Sequence, residues 1–336
     1  MRMGLTMGTL VAILAVTTTG CTTQRYWGGS TAVGNNTQAK IGLVTKTDTN
    51  PYFVALRQAA QAEAGKLGAQ FTSLAGKFDG DNDGQVTAIE NLVQRGVNTI
   101  LITPNSATGV LSAIKQARDK GIMVIALDTE TDPAGAVDAT YATDNTAAGR
   151  QEGQYVKAVL GDKPPQLLML DGTAGSTVDT QRHTGFLQGF GLKDGDPAII
   201  GHQSVNGDQS QAQQGMENLL QRATTVNAVY TLNEPTARGA YAALQARGLL
   251  NQVVMGSIDG GCQGVQDVKD GKYGATVMQF PAKMATLGVD AAVEYAKSGK
   301  KPSGFQNTGS MVITDRPVPG IPSQDTTWGL QNCWGK

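Results

Sequence analysis

Hydrogen-bonding side chains recur in this sequence at one kind of place. Asn50, Asp128, Asn233, Asp259 and Gln279 each stand at or just past the carboxyl end of a short apolar run, and Arg182 stands one turn into the helix that follows another. A carboxylate accepts bonds from vicinal hydroxyls, a guanidinium donates to ring or carbonyl oxygen, and an amide does both. Beside Asn50 stand Tyr52 and Phe53, whose ring faces can cover the C–H face of a sugar. The set suits an uncharged, hydroxyl-rich solute. Taken singly, each residue has a plainer reading, because Asp and Asn favour helix starts and turns. Their recurrence carries the argument. Bonds to charged partners contribute about 1.5 to 3 kcal/mol each, so a handful in a desolvated cleft supports micromolar or tighter binding.

The same residues argue against turnover. Asp128 and Asp259 could mimic a glycosidase pair, but a general acid needs a raised pKa and a neighbouring Arg182 would lower it. The only histidines are His183 and His202, no serine or cysteine nucleophile sits beside a base, and no glycine-rich phosphate loop follows a strand. The sequence therefore predicts a binding protein without enzyme activity, cofactor or metal.

What must position these residues is an alternation of strands and helices. Apolar Ile41, Leu43 and Val44 read as a strand that ends in the turn-prone Asp48-Thr49-Asn50-Pro51, with a helix over 53–67 closing at Gly68. Strands at 70–74, 99–102, 123–127 and 139–142 alternate with helices from about 83, over 109–120 and over 147–160. After the loop at 161–165 the pattern restarts, with strands at 166–170, 198–203, 228–231, 253–258 and 274–279 and helices over 179–190, 209–222, 235–247, 264–270 and 281–298. Two βα series of roughly a hundred residues predict two doubly wound α/β lobes with parallel sheets and right-handed crossovers. In such sheets ligands bind outside the carboxyl ends of the strands. The two sets of strand ends can face each other across a cleft.

One motif competes with this reading. Asp79 to Glu90 satisfies the calcium-loop pattern D-x-D-x-D-G-x5-E. A strand precedes it, however, and Val86, Ile89, Leu92 and Val93 are spaced for a helix from about Asp83, so the preferred reading is an acidic helix start.

Length and composition set the bounds. The 336 residues are enough for two domains. Charged residues are 16% of the chain, 27 basic against 28 acidic, which leaves no electrostatic footprint for nucleic acid. Hydrophobic residues reach 40% without a late run long enough to span a bilayer, which predicts a soluble, globular mature chain. At the amino terminus Arg2, the apolar segment 5–16 and Thr17-Thr18-Thr19-Gly20-Cys21 have the regions of an export signal. Gly20-Cys21 resembles the lipobox of bacterial lipoproteins, with Thr18 where that motif usually has leucine, so residues 1–21 read as a lipoprotein signal with Cys21 acylated. Simple signal-peptidase cleavage is the alternative. Residues 22–39 lack periodicity and read as a flexible tether. If Cys21 carries lipid, Cys262 and Cys333 remain as a pair in an exported protein, where a bridge closing roughly seventy residues would stabilise by about 4 kcal/mol. The bridge would pin the carboxyl tail, with Trp328 and Trp334, to the segment around Asp259; two buried thiols are the alternative.

From Lys40 to Lys336 the sequence resembles the periplasmic sugar-binding proteins of ABC importers, the ribose- and fructose-binding family. The resemblance lies in Asn50-Pro51-Tyr52-Phe53, Leu127-Asp128, Arg182 before Gly185-Phe186, Asn233, Ile258-Asp259-Gly260 and Gln279 before Pro281; Thr45-Lys46-Thr47-Asp48 and Gly76-Lys77-Phe78-Asp79-Gly80-Asp81 are similar to the fructose-binding branch. Two positions depart from the ribose pattern: Thr129 replaces an arginine, and the Gly207-Asp208 region lacks a ring. The pocket should then be less aromatic, with Thr129 and Asp208 as further candidate contacts and Lys46 and Asp48 reaching in from the opening strand.

The resemblance implies the type I periplasmic-binding fold. The chain would cross between lobes near Thr143, Gln279 and Asn307, so that 40–143 with 280–308 form one lobe and 144–279 with 309–336 the other. It further implies a monomer that closes on a fructose-, ribose- or pentitol-like solute and delivers it to an ABC permease with its cytoplasmic ATPase, at the outer face of the cytoplasmic membrane. A sugar-responsive repressor shares the fold but would need an amino-terminal helix-turn-helix and a basic face. A chemotaxis or quorum-signal receptor of the same fold is the functional alternative.

Overall fold

Strands buried on both faces need apolar side chains at every position, and the central runs of this chain supply them. The computed structural model describes residues 37–223 and 225–335. Met123–Leu127, for example, is buried throughout. The first series runs β1 (Lys40–Thr45), α1 (Pro51–Lys66), β2 (Gln70–Ala75), α2 (Asn82–Gln94), β3 (Thr99–Ile102), α3 (Leu111–Asp119), β4 (Met123–Leu127) and β5 (Ala139–Ala142). The second runs α4 (Asn145–Leu160), β6 (Leu167–Asp171), α5 (Thr177–Phe190), β7 (Ile199–Ser204), α6 (Gln209–Leu220), β8 (Ala228–Thr231), α7 (Glu234–Ala246), β9 (Val254–Asp259), α8 (Cys262–Lys269) and β10 (Ala275–Met278). The chain ends with α9 (Pro281–Ser298), β11 (Gly304–Asn307), β12 (Met311–Ile313), β13 (Ser323–Gln324) and α10 (Thr326–Asn332).

These elements build two sheets, in the orders β11-β5-β4-β3-β1-β2 and β13-β12-β10-β9-β8-β6-β7. All pairings in the first are parallel; in the second only the β12–β10 pairing is antiparallel, so β12 and β13 both run against the other strands. Helices cover both faces of each. In the first lobe Ile41, Leu43 and Leu127 pack toward Leu56 of α1 and Met284 of α9, while Val44, Ile100 and Val124 pack toward Ile89 and Leu92 of α2. In the second, Leu168 and Leu170 face α6 and α7, while Leu167 and Met169 face α4 and α5.

The chain passes between sheets after β5, after β10 and after β11. The passages are tied together, since the Thr308 amide donates to the Ala142 carbonyl at 2.8 Å and the Asp144 amide to Asn307 Oδ1 at 3.2 Å.

Glycines set the closest helix packing. In the crossing of α4 on α5, a Cβ on Gly149 or Gly153 would overlap the carbonyl oxygen of Arg182 or Phe186, and one on Gly185 or Gly189 that of Thr146 or Arg150. The i, i+4 spacing puts each pair on one helix face, so the backbones touch.

One expectation needs adjustment, one group of elements is new, and the acidic helix start is observed. The tether ends before residue 39: Thr37 bonds the Ala296 carbonyl through its amide and hydroxyl, and Ala39 is buried. The carboxyl-terminal strands β11 to β13 and helix α10 were not anticipated as elements from residue patterns, because strands of two to four residues hold too few positions to show a period. The start of the 79–90 segment is a helix cap, with Asp81 Oδ1 accepting from Gly84 N and Oδ2 from Lys77 N, both at 2.9 Å. Among the described residues no group of three or more acidic, histidine or cysteine side chains could hold a metal ion, and no helix is long and apolar enough to cross a membrane. Cys21 and the signal segment lie outside the described residues.

Cys262 and Cys333 form a disulfide with Cα atoms 4.9 Å apart, which ties the segment after α10 to the start of α8.

Candidate functional site

The carboxyl ends of the parallel strands of both lobes open on one cavity. From the first lobe it takes Lys46 and Asn50 after β1, Tyr52 and Phe53 on the first turn of α1, Asp79 after β2 and Asp128 after β4. From the second it takes Thr173, Ser176, Asp179 and Arg182 after β6, Asn206 after β7, Asn233 after β8, Asp259 at the end of β9 and Gln279 after β10.

Local geometry explains why these types occupy these positions. Asn50 and Asn233 cap α1 and α7, their Oδ1 atoms accepting from the amides of Tyr52 and Thr236 at 3.0 Å. The capping role and a place in the cavity wall are compatible, because a cap uses one end of the amide. Among the described residues three that are not glycine have positive φ: Asp128 at 66°, Asn206 at 52° and Asp259 at 143°. All three line this cavity. Asp and Asn tolerate such backbone better than other side chains, and residues held there cluster at functional sites.

The polar side chains hold one another in place. Arg182, 3% exposed, donates from Nε to Asn145 Oδ1 at 2.8 Å and from a terminal nitrogen to the Leu232 carbonyl at 2.9 Å, and pairs with Asp259 Oδ1 at 3.6 Å. Gln279 Nε2 donates to the same Asp259 oxygen at 2.9 Å. The Thr129 hydroxyl donates to Asp128 Oδ2 at 2.8 Å. Lys46 lies over the Phe53 ring, 5.8 Å from its centroid. Across the cleft, the Thr173 hydroxyl donates to Asp79 Oδ1 at 2.9 Å. Two buried atoms of the lining, Gln279 Oε1 and Ser176 Oγ, have no partner among the described residues. A hydroxyl-bearing guest would satisfy both, and an apolar one neither.

Charge in the cavity disfavours an anionic guest. Four carboxyls, Asp79, Asp128, Asp179 and Asp259, stand against two cations, Lys46 and Arg182. Burial pushes Asp179 and Asp259 up to about 6, with Arg182 pulling Asp259 the other way and Asp128 adding to the rise. Burial also raises Asp79. The Tyr52 phenol is held well above its ordinary value by burial and by Asp128 and Asp259, so it stays neutral. An anionic guest would meet this excess of carboxyls.

The structure thus gathers Asn50, Tyr52, Phe53, Asp128, Arg182, Asn233, Asp259, Gln279 and Lys46 around one space. Three expected contacts are not in its lining. Asp48 is exposed, two residues past Lys46 on the turn before α1. Thr129 is buried behind Asp128, its hydroxyl spent on that carboxylate. Asp208 caps α6 through the Gln211 amide and borders a neighbouring depression at the cleft mouth. Sequence reasoning missed Asp79, Thr173, Ser176, Asp179 and Asn206. Asp79 lies four residues past the end of β2, whereas Asp128 directly follows β4, and its stretch reads as an acidic helix start. Thr173 and Ser176 lie in a loop of small residues, where composition signals only a turn.

Comparison with known proteins agrees with this geometry. Residues 41–301 match the family model described as a periplasmic binding protein domain. The ribose import binding protein RbsB of Salmonella typhimurium is 34% identical over 275 residues, which cover 81% of this chain and 90% of that protein. The D-allose-binding periplasmic protein of Escherichia coli is 28% identical, covering 82% and 92%. Among solved structures, an ABC transporter periplasmic solute binding protein from Actinobacillus succinogenes with bound D-allose superposes with a TM-score of 0.74 at 26% identity, covering 82% of this chain and 98% of that one.

Proposed function

The chain belongs to the periplasmic binding protein family, and from that premise we propose that it captures an uncharged monosaccharide or polyol between its two lobes outside the cytoplasm and delivers it to an ABC permease driven by a cytoplasmic ATPase. The observation that carries this reading is the one cavity lined by carboxylates, amides and a guanidinium from the strand ends of both lobes, with Gln279 Oε1 and Ser176 Oγ buried in its wall and unpartnered among the described residues. The lobes are 40–143 with 280–308 and 144–279 with 309–336. Contacts made by both to one guest exist only when the cleft is shut, so differential affinity drives closure and the shut form is what the permease meets. Asn50, Tyr52, Phe53, Asp128, Arg182, Asn233, Asp259, Gln279 and Lys46 make the contacts, joined by Asp79, Thr173, Ser176, Asp179 and Asn206. A lipid on Cys21 anchors the protein at the outer face of the cytoplasmic membrane, and the protein acts as a monomer.

Thermal-shift screening against D-ribose, D-allose, D-fructose, myo-inositol and xylitol tests the reading. At a concentration of about 100 times Kd a guest that binds only the native state stabilises it by about 2.7 kcal/mol, a rise of several degrees. If none of the five raises the melting temperature, the sugar and polyol reading fails.

Acidification should weaken the best of these guests. Asp259 has a carboxyl raised to about 6, so a fall through that pH protonates it, removes an acceptor for guest hydroxyls and takes the counter-charge from Arg182. The expected result is a rise in Kd of about tenfold from pH 7.5 to pH 5, since each unit below a required ionisation costs about tenfold. Titration calorimetry across that range reads it directly, and a flat profile would remove the Asp259 carboxylate from the contact set.

A further inference from the structure

We infer that Trp334 is a closure contact of the solute cleft, a carboxyl-terminal side chain that belongs to the second lobe through the Cys262–Cys333 bond and seats on Tyr52 of the first. The inference rests on the solute-binding reading of the cleft. Trp334 lies just past the end of α10, adjoining the disulfide, and the Cys262 amide donates to its carbonyl at 2.9 Å. Its indole Nε1 donates to the Asp259 carbonyl at 3.1 Å, which fixes the ring beside the end of β9. A Cβ on Gly261 would come within 3.1 Å of the indole, so the glycine there makes room for it. The indole and the Tyr52 ring meet in a T-shaped arrangement, with centroids 5.4 Å apart and planes at 86°, and Tyr52 in turn meets Phe53 edge-on at 5.4 Å. Tyr52 is fixed to its own lobe, where its hydroxyl lies 3.2 Å from the Met284 sulfur.

One side chain therefore touches the backbone of a cleft carboxylate on one lobe and a cleft ring on the other. The Tyr52 contact breaks when the lobes part, while the Asp259 contact does not, because both of its partners ride on the second lobe. A contact present only in the shut state favours that state and slows guest release. The disulfide acts through position, since without it one main-chain bond and one indole bond remain to hold the ring against Gly261.

The experiment titrates the wild-type protein, Trp334→Ala, Trp334→Phe and the double variant Cys262→Ser/Cys333→Ser with D-ribose, D-allose, D-fructose and xylitol. Stopped-flow dissociation rates, far-UV circular dichroism and guest-free melting temperatures are measured alongside. Trp334→Ala should weaken the tightest of the four about tenfold, mostly through faster dissociation, with an unchanged circular dichroism spectrum, and Trp334→Phe should recover most of the loss. The cysteine pair should shift affinity in the same direction, and adding it to Trp334→Ala should produce no further loss, because the bond works through the ring. A lower guest-free melting temperature with unchanged affinity in Trp334→Ala would overturn the inference and leave the solute-binding reading standing. Failure of these four compounds and of myo-inositol to bind wild type would remove that reading and the inference with it.

Discussion

Asp259→Asn should lower affinity for the best monosaccharide or polyol by about 100-fold while leaving the guest-free protein as stable as before. The carboxylate accepts from Gln279 Nε2 and faces Arg182 through one oxygen, which leaves the other for guest hydroxyls. Asparagine keeps an acceptor for Gln279 but turns that second oxygen into a donor. Each bond to an ionised group is worth about 1.5 to 3 kcal/mol, so the loss of one such bond and the weakening of Arg182's own hold on the guest comes to about 3 kcal/mol, or about 100-fold at 1.4 kcal/mol per decade. Stability follows a different rule. A carboxyl lifted to about 6 by burial makes ionisation unfavourable to the fold at neutral pH, so a neutral isostere relieves a cost and offsets the counter-charge lost by Arg182. Asparagine also accepts the positive φ at this position, which most other residues would not. Calorimetry and a guest-free melt on the same sample decide the matter. An affinity within threefold of wild type would place the binding contacts elsewhere.

That separation of binding from stability marks where sequence reasoning reached and where it stopped. The alternation of apolar runs with helix-period segments was enough to place the strands and helices through α9, since buried parallel strands leave the least ambiguous trace. Asn50, Asp128, Asn233, Asp259 and Gln279 were legible because they sit at strand exits, a position that sequence order alone marks. Lys46 was legible only through likeness to the fructose-binding branch. Asp79 was hidden by a competing motif, and Asn206 by a turn whose positive φ has no sequence mark beyond the residue type. The place of Trp334 beside Asp259 follows from the disulfide, but its contact with the first lobe was hidden more deeply. Its partner Tyr52 is nearly the whole chain away, and no periodicity reports a contact made by a tail past the last helix. The disulfide could be anticipated from cysteine arithmetic, but its consequence for the cleft needed the ring geometry.

Gly153→Ala should be among the most damaging single methyls in the second lobe. Added to the helix interior, an alanine ordinarily stabilises by about 0.5 to 1 kcal/mol, because it restricts the unfolded chain more than glycine does. At Gly153 the new Cβ would overlap the Phe186 carbonyl oxygen, a backbone atom that no rotamer change can move. The helices α4 and α5 would have to separate along a line that Gly149, Gly185 and Gly189 hold equally close. Overpacking that side chains absorb costs about 1 to 3 kcal/mol. With backbone on the receiving side the expected cost is at the top of that range or above, about 4 kcal/mol, and the melting temperature should fall by about 10 °C. Gly65→Ala is the matched control. It stands near the end of α1 with nothing within 4 Å of its added Cβ, and should raise the melting temperature slightly. The damage at Gly153 should also reach the cleft, because Arg182 rides on α5 and takes its orientation from Asn145 at the start of α4, 2.8 Å away. Separated helices would stretch that bond and withdraw the guanidinium from Asp259. Gly153→Ala should therefore weaken sugar or polyol binding at temperatures where circular dichroism still reports folded protein, and a variant that melts and binds like wild type would show that the crossing of α4 on α5 does not set the position of Arg182.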